Sequence, residues 1–119
     1  MLRGAWRIVS EVNGGEPNPN AADNSYWFHD ERVIIGSQDA AWEWQIRADA
    51  SSSPHTLDMW SNDPEYPFHD LGIWELKDGR LRLCWGVRDS GIRPTAFEST
   101  ATNGWQLLVL EPSDEPEPT

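Results

Sequence analysis

Leu71-Gly72-Ile73-Trp74-Glu75-Leu76-Lys77-Asp78-Gly79-Arg80-Leu81-Arg82-Leu83-Cys84-Trp85 is the stretch from which the fold can be read. Two alternating arms flank Asp78-Gly79, the dipeptide favoured by a two-residue type I′ turn because both turn positions need positive φ. That turn fixes the register. Lys77 pairs with Arg80, Leu76 faces Leu81, Trp74 faces Leu83 and Gly72 faces Trp85, while Glu75 faces Arg82 and Ile73 faces Cys84. The set containing Trp74, Leu83 and Trp85 is the better core face. The missing side chain at Gly72 leaves room across the ladder for the Trp85 indole, and Glu75 with Arg82 makes an outward pair of opposite charge.

The same two-residue alternation recurs along the chain between clusters of Gly, Pro, Asn and Asp, and helical periodicity is nearly absent, which is the pattern of an all-β meander. Eight tryptophans in 119 residues fall mostly on the inward parity of these segments. Strands are expected near 5–12, 26–29, 32–36, 41–47, 55–60, 71–77, 80–86, 95–99 and 105–110. Trp42, Trp44 and Ile46 then point inward, as do Trp6 with Ile8, Val33 with Ile35, and Leu57 with Met59. The longest breaks, 13–25 and 61–69, are loops, the first with room for a short helical turn. The length suits one domain with its own core.

Several segments carry a resemblance: Gly4-Ala5-Trp6-Arg7-Ile8-Val9-Ser10-Glu11-Val12-Asn13-Gly14, Leu71-Gly72-Ile73-Trp74-Glu75-Leu76 with Asp78, Leu81, Leu83 and Cys84, then Arg93-Pro94-Thr95-Ala96-Phe97, and Leu107-Leu108-Val109-Leu110. Together they resemble a bacterial lipocalin-like domain family, an uncharacterised domain abundant in planctomycetes. The likeness spans almost the whole chain before the acidic end. It implies a small β-barrel and brings no established activity, cofactor or catalytic residue. The expected architecture is an up-and-down antiparallel lipocalin-like barrel of eight or nine strands over residues 1–110. Residues 111–119 are expected to form an acidic, proline-rich disordered tail or linker that adds nothing to the core.

The net charge of −11, with Lys77 as the single lysine beside eight arginines, repels polyanions, so nucleic acid and anionic membranes are not expected partners. Cys84 is the only cysteine. It allows neither an internal disulfide nor a thiolate metal cluster and reads as a buried, inert thiol. No signal segment and no membrane-spanning apolar run is present; the expectation is a cytoplasmic protein if the chain is complete.

Two His-Asp pairs stand in a short echo, Tyr26-Trp27-Phe28-His29-Asp30 and Tyr66-Pro67-Phe68-His69-Asp70. In an up-and-down order His29 falls at the closed end, with Trp6 and His55, and His69 at the open end. The two pairs are then too far apart to share a metal, and no metal or other cofactor is expected. Neither a Gly-x-Ser-x-Gly elbow nor a phosphate-cradling loop is present, and Asp58 is placed outside on a solvated strand face.

The open end gathers Tyr66, His69, Arg88 and Arg93 above an interior lined by Trp42, Trp44, Trp74, Trp85 and Phe97, the layout of an apolar chamber with polar groups at its mouth. The leading expectation is accordingly a non-enzymatic binding module. It would take a small apolar or aromatic ligand, or a peptide, with Arg88 or Arg93 orienting a polar group. Its first rival is a protein-protein interaction or sensory accessory domain with a filled barrel, since barrels of about eight strands are often filled by their own side chains. The second is a small hydrolase or metal-dependent enzyme built on His69 and Asp70.

Overall fold

The computed structural model describes residues 2–118, and it is all-β. The strands are β1 (Gly4–Asn13), β2 (Glu16–Pro17), β3 (Ser25–Phe28), β4 (Arg32–Gly36), β5 (Ala41–Asp49), β6 (His55–Ser61), β7 (Phe68–Lys77), β8 (Arg80–Trp85) and β9 (Gln106–Pro112). One 3-10 turn, Ala21–Asp23, sits in the first long loop, where the sequence leaves room for it. β1, β3, β4, β5, β6, β7, β8 and β9 follow one another around an antiparallel ladder that β1 and β9 close, and the two-residue β2 is an extra strand beside β1. The result is a closed eight-stranded up-and-down barrel with no free edge along most of its length, which removes the usual route to edge-to-edge association.

The hairpin register is as read from the turn: Lys77 pairs with Arg80, Leu76 with Leu81, Trp74 with Leu83 and Gly72 with Trp85. Asp78 and Gly79 have φ of 54° and 77°, as a type I′ turn requires. A Cβ at Gly79 would meet no atom within 4 Å, so the only obstacle to a side chain there is the backbone conformation. Gly79→Val is expected to lower stability by about 1–2 kcal/mol, the cost of holding a branched residue in the left-handed region. Denaturant melts of the two proteins measure it, and coincident midpoints would show that the turn carries no such strain.

The barrel interior is packed by its own side chains. Ile8, Tyr26, Phe28, Val33, Ile46, Leu57, Met59, Phe68, Trp74, Leu81, Leu83, Trp85, Leu108 and Leu110 are all buried in one cluster. Trp6, Ile35, Trp44 and Ala48 pack against it from the ends. Two outward-facing sets are buried as well. Ile73 and Cys84 lie under the long connection 86–105, whose Glu98 carbonyl accepts the Cys84 thiol at 3.4 Å. Trp27 and Ser25 lie under residues 113–118, where the Glu115 carbonyl accepts from Trp27 Nε1 at 3.0 Å.

These two coverings correct two expectations. Residues 95–99 form no strand; Pro94 cannot donate to a ladder, and the segment lies over β7 and β8, with Arg82 of β8 stacked 4.5 Å from the Phe97 ring. The acidic stretch after β9 is not a free tail among the described residues. Ser113 N donates to Ala5 O at 3.0 Å, and the chain then crosses the outside of β3. β9 also runs two residues further than expected, to Pro112, because Glu111 is held by Arg7 of β1.

Candidate functional site

At the open end the inward positions are more polar than the alternation alone suggests. A bulge in β1 between Ile8 and Ser10 shifts the parity, so Glu11 rather than Ser10 stands opposite the core residue Leu108. Glu11 Oε2 accepts from Asn13 and Asn18 at 2.8 and 3.1 Å. Asp70, on the inward parity of β7 with Phe68 and Gly72, is buried and takes the Arg88 guanidinium through Nε at 3.1 Å and Nη2 at 3.0 Å. The same guanidinium lies 4.0 Å above the Phe68 ring. Arg88 therefore caps Asp70 and Phe68 at the open end and is committed to a carboxylate of its own chain.

Beneath this cap stand Tyr26 and Trp85. Burial, above all, pushes the Tyr26 phenol well above the usual tyrosine value; Glu11 and Asp70 push the same way, against the Trp85 N–H and Arg88. Trp85 Nε1 is buried without an acceptor in hydrogen-bonding geometry, although it lies close enough to the Tyr26 hydroxyl to favour its ionised form.

Of the side chains expected to line an interior chamber, Trp44, Trp74 and Trp85 are inside, and each is part of the packing rather than the edge of a space. Trp74 Nε1 donates to Thr56 O at 2.9 Å and its ring meets His55 at 4.7 Å, which plugs the closed end. Trp44 meets Phe68 edge-on at 4.8 Å. The others are displaced. Trp42 has the inward parity but stands beside the β4–β5 turn at the rim, 59% exposed. Phe97 is on the outer wall under Arg82. Arg93 is also outside: Nη1 donates to Gly72 O at 2.8 Å and Nη2 to Asp58 at 2.7 Å, so Asp58 is paired rather than simply solvated. Tyr66 is 72% exposed in its loop. His69 is outward, its ring 6.4 Å from that of Trp60 and its backbone N–H donating to the Asp89 carboxylate at 2.7 Å.

Neither Trp74 nor Trp85 borders any of five surface depressions among the described residues, whereas the inward-facing Phe28, Phe68 and Trp44 each edge one. One of about 480 Å³ on the outer wall of β5, β6 and β7 is walled by Arg47, Asp58, Trp60, Asn62 and His69. The sequence reading missed Trp60 as a site residue, although its parity, opposite to that of Met59, already placed it outward. A depression at the closed end, about 680 Å³, is bordered by Arg3, Phe28, His29, Asp30 and Arg32. His29 there meets the Glu117 carboxylate, whereas His55 gives its Nδ1 to Ser52 O, so the two histidines of that end serve different partners. His69 and Asp70 are neighbours in a strand and project from opposite faces, which separates the acid/base pair. Burial raises the Cys84 thiol pKa above its ordinary value, in keeping with an inert sulfur.

No family model, curated protein or solved structure matches this chain.

Proposed function

We propose that the protein is a non-enzymatic binding module that engages a protein partner on the outside of its barrel, around Trp60 and His69 and the adjoining loop of Tyr66. One observation carries this reading. The interior is occupied by the chain's own side chains, and Trp60, His69 and the exposed Tyr66 leave aromatic surface on a stretch of wall that the 86–105 connection only borders, through Arg93 at Asp58 and Asp89 at His69. Half-buried tryptophan beside arginine, with aspartate, asparagine and histidine at the margin, combines a rigid apolar face with a polar rim, and tryptophan and arginine are residue types enriched at recognition surfaces. The lipocalin-like kinship read from the sequence belongs to the same proposal and is supported by the up-and-down order of the barrel. Arg88 and Arg93, both engaged by carboxylates of this chain, are poor anchors for an acidic ligand.

The test pairs two measurements. Protein captured by the wild-type chain is expected to be reduced about tenfold or more by Trp60→Ala and by Tyr66→Ala, with the circular dichroism of both variants native, because truncating an interface anchor costs about 2 kcal/mol. Indole N–H resonances of Trp74 and Trp85 are expected to stay fixed when fatty acids or aromatic acids are added. Saturable shifts of those two resonances would overturn the reading and return the ligand to the interior.

A further inference from the structure

Ser25 and Trp27 project from the outer face of β3, yet each is only 3% exposed. Residues 113–118 cover them, and the chemistry of the contact is one-sided. The wall supplies donors: Ser25 Oγ to the Glu115 carboxylate at 2.9 Å, Trp27 Nε1 to the Glu115 carbonyl at 3.0 Å, and Gln38 Nε2 to the Pro116 carbonyl at 2.6 Å and the Glu115 carboxylate at 3.4 Å. His29 meets the Glu117 carboxylate beyond them. Toward Ser25, Trp27 and Gln38 the covering segment supplies acceptors only, and its one donor to the wall, Ser113 N, goes to Ala5 O of β1.

Proline suits such a wall for a physical reason. Pro112, Pro116 and Pro118 have no N–H that burial would leave unpaired, and each restricts the chain to the extended conformations in which successive carbonyls can be read by side-chain donors. The indole N–H takes the carbonyl immediately before Pro116, and the glutamine takes the carbonyl of that proline. An aromatic side chain that reads carbonyls of an extended proline-containing segment is a recurrent mode of peptide recognition. The groove also continues past its occupant. Pro118 borders a depression of about 430 Å³ whose other walls include Ile34, Asp39, Trp42 and Glu43.

We propose that the outer face of β3, with Ser25, Trp27, His29 and Gln38, is a receptor site for acidic, proline-spaced segments of another protein, and that residues 113–118 are its resident occupant in cis. This site lies apart from the Trp60 surface, and the two stand or fall separately. The resident segment would hold the groove until a longer segment of the same chemistry, reaching the exposed Trp42, displaces it.

The experiment uses the full chain with Glu115→Lys and Glu117→Lys, which unseats the segment and leaves the wall intact. The Trp27 Nε1–H resonance is expected to move and to exchange faster with solvent. A synthetic peptide of residues 111–119 is expected to return it saturably, and a peptide with its prolines replaced by alanine to bind about tenfold more weakly, the equivalent of about 1.4 kcal/mol. No movement in the variant, no return with the peptide, equal binding of the alanine peptide, or self-association of the wild-type chain that the two substitutions abolish would each overturn the proposal. Should the charge-reversed chain lose its native spectrum, Gln38→Ala, at an exposed position, is the second variant. Its Trp27 indole is expected to exchange several-fold faster, and an unchanged rate overturns the proposal equally.

Discussion

Gly72→Val is expected to be the most damaging single substitution in the barrel, lowering stability by about 3 kcal/mol or more. A Cβ at this position would stand 2.6 Å from Trp85 Cε3 and 3.0 Å from both Trp85 Cζ3 and Cys84 O. Two of those atoms belong to an indole packed on every side, and the third belongs to the backbone of β8, so neither can yield without moving the ladder or expelling the ring. The substitution therefore acts through overpacking and not through strand propensity. Trp85→Leu alone leaves a cavity and is expected to cost about 3 kcal/mol. Combined with Gly72→Val it is expected to cost much less than the sum, because the added side chain occupies part of the space that the indole vacates. Urea midpoints of the four proteins close the cycle. Strict additivity would show that the glycine is not there for the indole.

That pairing was legible in the sequence because a local device, the Asp78-Gly79 turn, sets the register of the whole hairpin. Beyond such devices, alternation reports which face a side chain takes and not how deep it lies. Trp42 has the parity of Trp44 and Ile46, yet it stands at the rim because β5 begins only one residue before it. A single bulge defeats parity altogether: Ile8 and Glu11 are three residues apart and both point inward, so the acid beneath the mouth could not be found by counting in twos. Long-range pairs are equally silent. Nothing near Arg93 indicates that it reaches Asp58, 35 residues away, rather than the mouth.

The stretch after β9 shows the limit of composition. Its acids and prolines are what disorder looks like in sequence, and they are equally what a wall of hydrogen-bond donors selects. Trp27 carried the missing signal. An indole at an outward position of a closed barrel is either covered or left as aromatic surface, as Trp60 is, and the residues that cover Trp27 lie 88 positions further along the chain.

Raising the pH is expected to destabilise the fold through Tyr26 alone among the groups buried beneath the Arg88 cap. Its hydroxyl is fully enclosed, with Glu11 and Asp70 adding negative potential to the cost of desolvation, so the folded protein keeps the phenolic proton at a pH where the unfolded chain has lost it. The unfolded phenol ionises at about 10. The contribution of Tyr26 is therefore fully present below that pH and declines above it, by about 1.4 kcal/mol for each further unit, until the folded-state phenol itself gives up its proton. At pH 11.5 the loss amounts to about 2 kcal/mol. Tyr26→Phe, which keeps the ring against Phe28 at 5.7 Å and removes the ionisable group, is expected to be the less stable protein at pH 8, where the buried Trp85 N–H loses the nearby hydroxyl. The difference between the two proteins should then shrink as the pH rises and reverse near pH 11.5. Denaturant melts of both across pH 8–11.5 measure it, since every other titrating group is common to the pair. Parallel curves would mean that water reaches the hydroxyl in the folded state.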